Sequence, residues 1–154
     1  MEKKGLILLV DDDELVLNSL AREIKGEGFQ VLSADNAKSA LQILKEQQVD
    51  VVISDHKMPG VQGLSLLRII KDHYPDTVRI MLTGYADLEA AIIAINDIEV
   101  FRFYVKPWNR VELLNGLGDA MRLRSLKVES KKLFKAISDQ LAKLKALNPD
   151  FTKD

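Results

Sequence analysis

The sequence predicts an α/β domain, a doubly wound five-stranded parallel sheet followed by an extended C-terminal helix. Short apolar runs typical of buried strands alternate with longer segments in which apolar residues recur at helical spacing. The strand runs are apolar nearly throughout, which indicates that helices cover both faces of the sheet. The length of 154 residues suits one domain of this kind plus an appendage.

The elements follow in strict alternation along the chain. The predicted strands are LILLV (6–10), QVLSA (30–34), VVIS (51–54), VRIML (78–82) and VFRFYV (100–105). The amphipathic helices between them are LVLNSLAREI (15–24), AKSALQIL (37–44), LSLLRIIKD (64–72) and LEAAIIAI (88–95).

Local signals support these boundaries. Gly26 and Gly28 are suited to close the first helix, and the Pro-Gly pair at 59–60 interrupts the chain after the third strand. Asn109 with Glu112 three residues later resembles a capping box, so the last helix is predicted to begin there.

Charge divides the chain into two predicted parts. The net charge is -1, but residues 1–121 carry 13 basic and 19 acidic side chains, whereas residues 122–154 carry 9 and 4. We therefore predict a main domain at 1–121 and a helical extension at 122–154. The chain contains no cysteine, which excludes disulfides and thiolate metal sites. It has no apolar run of 18 residues, so we expect a cytoplasmic protein without a membrane partner.

Polar residues follow the strands where each one ends. Asp11 and Asp12 follow the first strand, Asp55 the third, Thr83 the fourth and Lys106 the fifth. The carboxyl ends of parallel strands share one edge of the sheet, where sites form in such folds. Two carboxylates about 4 Å apart repel by roughly 4 kcal/mol at an effective dielectric of 20, so the cluster should recruit a cation. All-oxygen ligation suits Mg²⁺, and an aspartate beside it can attack phosphorus.

Four motifs carry a resemblance to a known family. ILLVDDDE, VVISDHKMPGVQG, MLTGY and FYVKPW occur in that order across about residues 5–121. The ordered set resembles the response-regulator receiver domains of two-component signalling, which have a flavodoxin-like fold. The resemblance implies that Asp55 is the phosphoacceptor for a sensor histidine kinase or phosphotransfer protein. It also implies a signalling switch that catalyses only its own phosphorylation and slow dephosphorylation.

The resemblance assigns the other roles. Asp12 would bind Mg²⁺ directly, Asp11 mainly through water, and Lys57 through its backbone carbonyl, while Asp55 would also ligate the ion. Thr83 would donate its hydroxyl to the phosphoryl group, and Lys106 would pair with a phosphoryl oxygen.

Members of this family couple phosphorylation to an aromatic residue three positions before the lysine. That residue is Phe103 here, so a hydroxyl contact with a partner is unavailable and packing must carry the switch. Thr83 would move toward the phosphoryl group and Phe103 would fill the space. The resemblance also implies a cis peptide bond before Pro107.

Simpler readings apply to four neighbouring residues. Asp13 is predicted to be a helix-start residue outside the site. His56 is predicted to be an exposed loop histidine. Lys57 and Tyr85 occupy positions that tune phosphate lifetime in the family, and exposure without consequence is an equal alternative.

The extension continues the last helix. Phe134, Ile137, Leu141 and Leu144 follow 3,4,3 spacing, which a short coiled-coil seam requires. The extension is interpreted either as a homodimer seam or as a linker to an output domain absent from these residues. Phosphorylation-independent dimerisation as a helical adaptor is the alternative function, and a flavodoxin-like small-molecule site a more distant one. Direct nucleic-acid binding is not expected, because no helix-turn-helix follows.

Overall fold

The computed structural model describes residues 4–56 and 63–147. Strands and helices alternate as predicted, and the fold is the five-stranded parallel α/β fold of the flavodoxin-like type. The strands are β1 Leu6–Val10, β2 Gln30–Ala34, β3 Val51–Asp55, β4 Val78–Thr83 and β5 Arg102–Val105. The helices are α1 Glu14–Gly26, α2 Ala37–Glu46, α3 Gly63–His73, α4 Leu88–Asp97 and α5 Arg110–Leu147.

The sheet has the order β2-β1-β3-β4-β5 with every neighbouring pair parallel. The three central strands β1, β3 and β4 are buried at every position, whereas the edge strands β2 and β5 are partly exposed. The strand order changes direction between β1 and β3, so the crevice beyond their carboxyl ends is the place where such folds bind ligands.

Side-chain alternation along β1 divides the core into two layers. Leu6, Leu8 and Val10 pack with residues of α2, α3 and α4 on one face of the sheet. Ile7 and Leu9 pack with α1 and α5 on the other face. Because successive residues of a strand point to opposite faces, one apolar run serves both layers.

Helix ends are formed by the residues that the sequence indicated. Asp13 caps α1, since its side chain accepts a hydrogen bond from the Leu15 amide at 2.9 Å. Asn109 accepts from the Glu112 amide at 3.0 Å, so α5 begins where the capping box predicted. Gly28 follows α1 with φ of 96°, a left-handed conformation that glycine adopts without strain.

Two compact units make up the chain, Met1–Arg124 and Ser125–Asp154. In the second unit the described residues are helical, and their large apolar side chains are exposed. Across the described ranges, none of the helices combines the length and the apolar composition that a membrane span requires.

Candidate functional site

Three carboxylates meet at the carboxyl edge of the sheet. Asp11 and Asp12 directly follow β1, and Asp55 is the last residue of β3. One oxygen from each of the three carboxylates lies within 4.8 Å of the others. Asp11 and Asp55 are buried while Asp12 is exposed, so the group opens to solvent on one side.

Lys106, which follows β5, lies against this acidic group. Its Nζ is 2.9 Å from Asp11 Oδ2 and 3.2 Å from Asp55 Oδ2. Three carboxylates facing this ammonium group leave a formal excess of negative charge, which a divalent cation would offset. The donors are hard oxygens, and these are the ligands that Mg²⁺ prefers. The residues present therefore fit a magnesium ion held by Asp11, Asp12 and Asp55.

Burial and neighbouring charges have opposite effects on the pKa values of Asp11 and Lys106. Burial raises the pKa of Asp11 above its usual 3.8, although the Asp13 amide and Lys106 act to lower it. Burial lowers the pKa of Lys106, but the hydrogen bonds and charges of Asp11 and Asp55 outweigh it and raise that pKa above 10.5. The 2.9 Å contact is that of a charged pair, so we take Asp11 as ionised and Lys106 as protonated at neutral pH.

Thr83 completes the group of predicted residues at this edge. It is the last residue of β4 and is fully buried. Its carbonyl oxygen accepts a hydrogen bond from the Lys106 amide at 2.8 Å, which ties the ends of β4 and β5 together. The structure thus brings five of the predicted site residues to one place, Asp11, Asp12, Asp55, Thr83 and Lys106.

The prediction for His56 was wrong. Its side chain is buried, not exposed, and Nδ1 lies 3.2 Å from Thr83 Oγ1. Alternation along β3 could have found this, because Val52, Ser54 and His56 project to the same face, and Val52 belongs to the core. The sequence predicts that β3 ends at Ser54, which places His56 in the loop that follows.

Gly63 is a second residue whose role the sequence did not reveal. A Cβ atom there would lie 1.7 Å from the carbonyl oxygen of Asp55, and the Gly63 amide donates to His56 O at 2.9 Å. Only glycine lets α3 begin this close to the end of β3. The signal in the sequence was the glycine that ends VVISDHKMPGVQG.

Phe103 lies one strand away from Thr83. It pairs in register with Met81 of β4, so Met81, Thr83 and Phe103 share a face of the sheet. The ring is half-buried and packs against the layer that contains α4. The Lys106–Pro107 peptide bond is cis, as expected. Lys57 lies outside the described residues, and so does the side chain of Tyr85.

Comparison with known proteins agrees with this geometry. A family model described as the response regulator receiver domain matches residues 7–117. The signal receiver domain of an HD domain-containing protein from Pseudomonas fluorescens Pf-5 is similar in structure, with a TM-score of 0.78 and 37% identity. That similarity covers 84% of this chain and 95% of the other.

Curated relatives of this chain include longer transcriptional regulators. The hydrogenase transcriptional regulatory protein HoxA of Cupriavidus necator is 30% identical over 132 residues, 86% of this chain but 27% of that protein. The DNA-binding transcriptional regulator NtrC of Proteus hauseri is 32% identical over 148 residues, 94% of this chain and 31% of that protein. The chain therefore spans less than a third of the length of these relatives.

Proposed function

This chain belongs to the response regulator receiver domain family, and from that premise we propose that it is a Mg²⁺-dependent switch phosphorylated on Asp55. The phosphoryl donor would be a phosphohistidine of a sensor histidine kinase or phosphotransfer protein in the cytoplasm. The observation that carries the proposal is the meeting of three carboxylates around one point with Lys106 Nζ 2.9 and 3.2 Å from two of them.

In the proposed reaction a carboxylate oxygen of Asp55 attacks phosphorus. The new P–O bond forms as the P–N bond to the donor imidazole breaks, which leaves an acyl phosphate on Asp55 and returns the electron pair to the imidazole. Bound Mg²⁺ would offset the negative charge that collects on the transferred group. The chain catalyses this acceptance and, with water, the slow hydrolysis that resets it.

Lys106 and Thr83 are positioned for different parts of this step. Lys106 already contacts Asp55, so its ammonium group can pair with a phosphoryl oxygen as negative charge develops on that oxygen. Thr83 can donate its hydroxyl proton to another phosphoryl oxygen. Asp11 and Asp12 would hold the cation, and Lys57 would add its backbone carbonyl.

The output of the switch would pass through Thr83 and Phe103. Because both side chains project from the same face of neighbouring strands, a shift of Thr83 toward Asp55 vacates space on the side of Phe103. The ring can then move inward, and the surface of α4, β5 and α5 changes. A partner that binds one form better than the other reads the change, and it does so only by that difference in affinity.

Binding of beryllofluoride, an acyl phosphate mimic, tests the phosphoacceptor. Trp108 is a suitable reporter, because it lies two residues from Lys106 and its Nε1 donates to Glu23 of α1 at 2.7 Å. We expect its emission to change on Mg²⁺ addition and again on beryllofluoride addition.

Two variants sharpen that test. Asp55→Asn should abolish the beryllofluoride response, whereas Asp72→Asn, at an exposed aspartate of α3, should retain it. A wild-type protein that stays silent in calorimetry as well as in fluorescence contradicts the proposed switch.

A second candidate function is supported by the unit Ser125–Asp154. Phe134, Ile137, Leu141 and Leu144 are 73%, 49%, 46% and 46% exposed and recur at coiled-coil spacing. Apolar side chains in such a continuous row mark an interaction surface. We propose that a second copy of this chain covers them in a homodimer, which could act with or without phosphorylation and connect to an output domain.

Sedimentation equilibrium tests the dimer. Ile137→Lys should yield monomers, while Ala136→Lys, one position away and off the 3,4,3 row, should leave the mass unchanged. A chain ending at Arg124 should be monomeric. Equal masses for all of these proteins contradict the homodimer, and a wild-type monomer would leave the helix as a linker.

A further inference from the structure

His56 connects the phosphoacceptor to the turn that precedes α4. Its Nδ1 lies 3.2 Å from Thr83 Oγ1 and 3.5 Å from Asp55 Oδ1, and its Nε2 lies 3.5 Å from Asp87 Oδ2. Asp87 ends the short 3-10 turn Tyr85–Asp87 that leads directly into α4. The side chain of His56 is 5% exposed, so the imidazole has little freedom to leave these contacts.

The backbone of His56 is fixed as well. Its carbonyl oxygen accepts a hydrogen bond from the Gly63 amide at 2.9 Å, at the start of α3. The residue before it is the end of β3, a strand buried on both sides. A side chain held in this way positions its neighbours instead of adapting to them.

The hydroxyl group of Thr83 already has two hydrogen-bonding neighbours. Its hydroxyl carries one proton, which it donates to the carbonyl oxygen of Gly84 at 3.3 Å, and the hydroxyl oxygen also lies 3.2 Å from His56 Nδ1. An oxygen of a phosphoryl group on Asp55 can only accept, so it needs that proton. Thr83 must then leave the position in which both His56 and Gly84 satisfy it, and buried polar contacts are costly to break.

We propose that His56 is a positioning residue that holds Thr83 and the β4–α4 turn in their unphosphorylated arrangement. The inference rests on the proposed function, since the phosphoryl group competes with His56 for the Thr83 hydroxyl. The Asp87 contact extends the restraint to α4, so one side chain couples the site to the turn. His56 thereby lowers the population of the active arrangement that a phosphoryl mimic must select.

Three substitutions separate the two sides of the imidazole. His56→Asn keeps a polar atom close to the place of Nδ1 and loses the Nε2 contact, and His56→Gln reaches toward the place of Nε2 instead. His56→Leu removes both contacts. His73, exposed at the end of α3, supplies the matched control His73→Leu.

Calorimetric titration of each protein with beryllofluoride at saturating Mg²⁺ tests the proposal. We expect His56→Leu and His56→Gln to bind at least about threefold more tightly than wild type. His56→Asn should gain less than either, because it keeps a polar atom beside Thr83 and loses only the Asp87 contact, and His73→Leu should match wild type within about twofold. A merely structural histidine would give the opposite sign, because its loss would loosen the site and weaken binding. Acyl phosphate lifetime should lengthen in the same two variants.

The outcomes remain distinguishable from failure of the proposed function. Wild-type protein that does not bind beryllofluoride overturns both proposals. Wild-type protein that binds, together with His56→Leu and His56→Gln variants whose affinity is unchanged or weaker, overturns only the positioning role. Urea unfolding checks each variant, and if His56→Leu does not fold, the contrast between His56→Gln and His56→Asn decides.

Discussion

Charged side chains collect at both edges of the sheet, and the two clusters are built differently. At the carboxyl edge, oxygens of Asp11, Asp12 and Asp55 converge within 4.8 Å. At the amino edge, where the strands begin, the two carboxylate oxygens of Asp50 bind separate partners. Oδ2 accepts from the Leu6 amide at 2.8 Å, and Oδ1 lies 3.3 Å from Arg124 Nε.

The difference shows how charge serves structure at one edge and chemistry at the other. Asp50 also bonds through its backbone, donating to Leu6 O and accepting from the Val78 amide, both at 3.0 Å. Every one of these contacts closes the fold by joining β1, β4 or α5 to the start of β3. The carboxyl-edge acids instead bring like charges close together, which disfavours the folded state and favours the binding of a cation.

Breaking the amino edge should have the largest effect on stability. Asp50→Ala removes a charge-assisted bond to the Leu6 amide and the ion pair with Arg124, whose side chain is 15% exposed. Each such bond contributes about 1.5 kcal/mol or more, so we expect the free energy of unfolding to fall by about 3 kcal/mol. Urea unfolding monitored by circular dichroism measures it.

Asp50→Asn is the control for this change. The amide oxygen can still accept from Leu6, so the expected loss is smaller, about 1 kcal/mol. Equal losses of stability for the two variants would show that the hydrogen bond from the Leu6 amide to the Asp50 side chain contributes nothing. Added Mg²⁺ should not alter either loss, because Asp50 is not one of the three carboxylates that would hold the ion.

Removing the lysine at the carboxyl edge should have the next largest effect. In Lys106→Met the buried Asp11 loses its 2.9 Å partner, and breaking a partly buried pair leaves a charge uncompensated. We expect a loss of about 2 kcal/mol at pH 7 in metal-free protein, measured by urea unfolding. In contrast to the amino edge, Mg²⁺ should restore much of the loss.

The sign of the pH dependence follows from the two pKa shifts. The pKa of Asp11 is raised in the folded protein. Its favourable contribution to the free energy of unfolding is therefore present below pH 3.8 and is lost as the pH rises through the raised value. Without Lys106 that pKa rises further, so the deficit of Lys106→Met should shrink on acidification. The raised pKa of Lys106 means that its contribution is lost only as the pH rises above 10.5. A deficit that grows toward acid pH would contradict this.

The sequence predicted the carboxyl edge better than the amino edge. Asp11, Asp55 and Lys106 could be placed together because parallel strands that end in polar residues must end at the same edge. β2 and β1 have the predicted bounds, since apolar runs and turn residues are local signals. β5 begins at Arg102 instead of residue 100, because pairing with β4 and not composition decides where an edge strand starts.

Residues whose roles depend on distant packing were not predicted. The sequence around Asp50 indicates only a turn residue. Its role depends on contacts with Leu6 and Arg124, which the folded structure brings beside it. Gly116 lies within α5, and a Cβ atom there would lie 1.7 Å from the Tyr104 hydroxyl. Such contacts arise between elements far apart in sequence, which periodicity does not report.

The smallest effect, with the opposite sign, is expected at Asp12. Asp12→Asn removes one of three converging charges from an exposed position without breaking a fold-closing contact, so metal-free protein should become more stable by about 0.5 kcal/mol. The gain in stability that Mg²⁺ gives wild type, about 2.7 kcal/mol at one hundred times its dissociation constant, should fall sharply in the variant. Thermal unfolding with and without Mg²⁺ measures both quantities, with Asp72→Asn as the control at an exposed acid away from the site. A destabilised metal-free Asp12→Asn would mean that the carboxyl edge, like the amino edge, uses its charges to hold the fold.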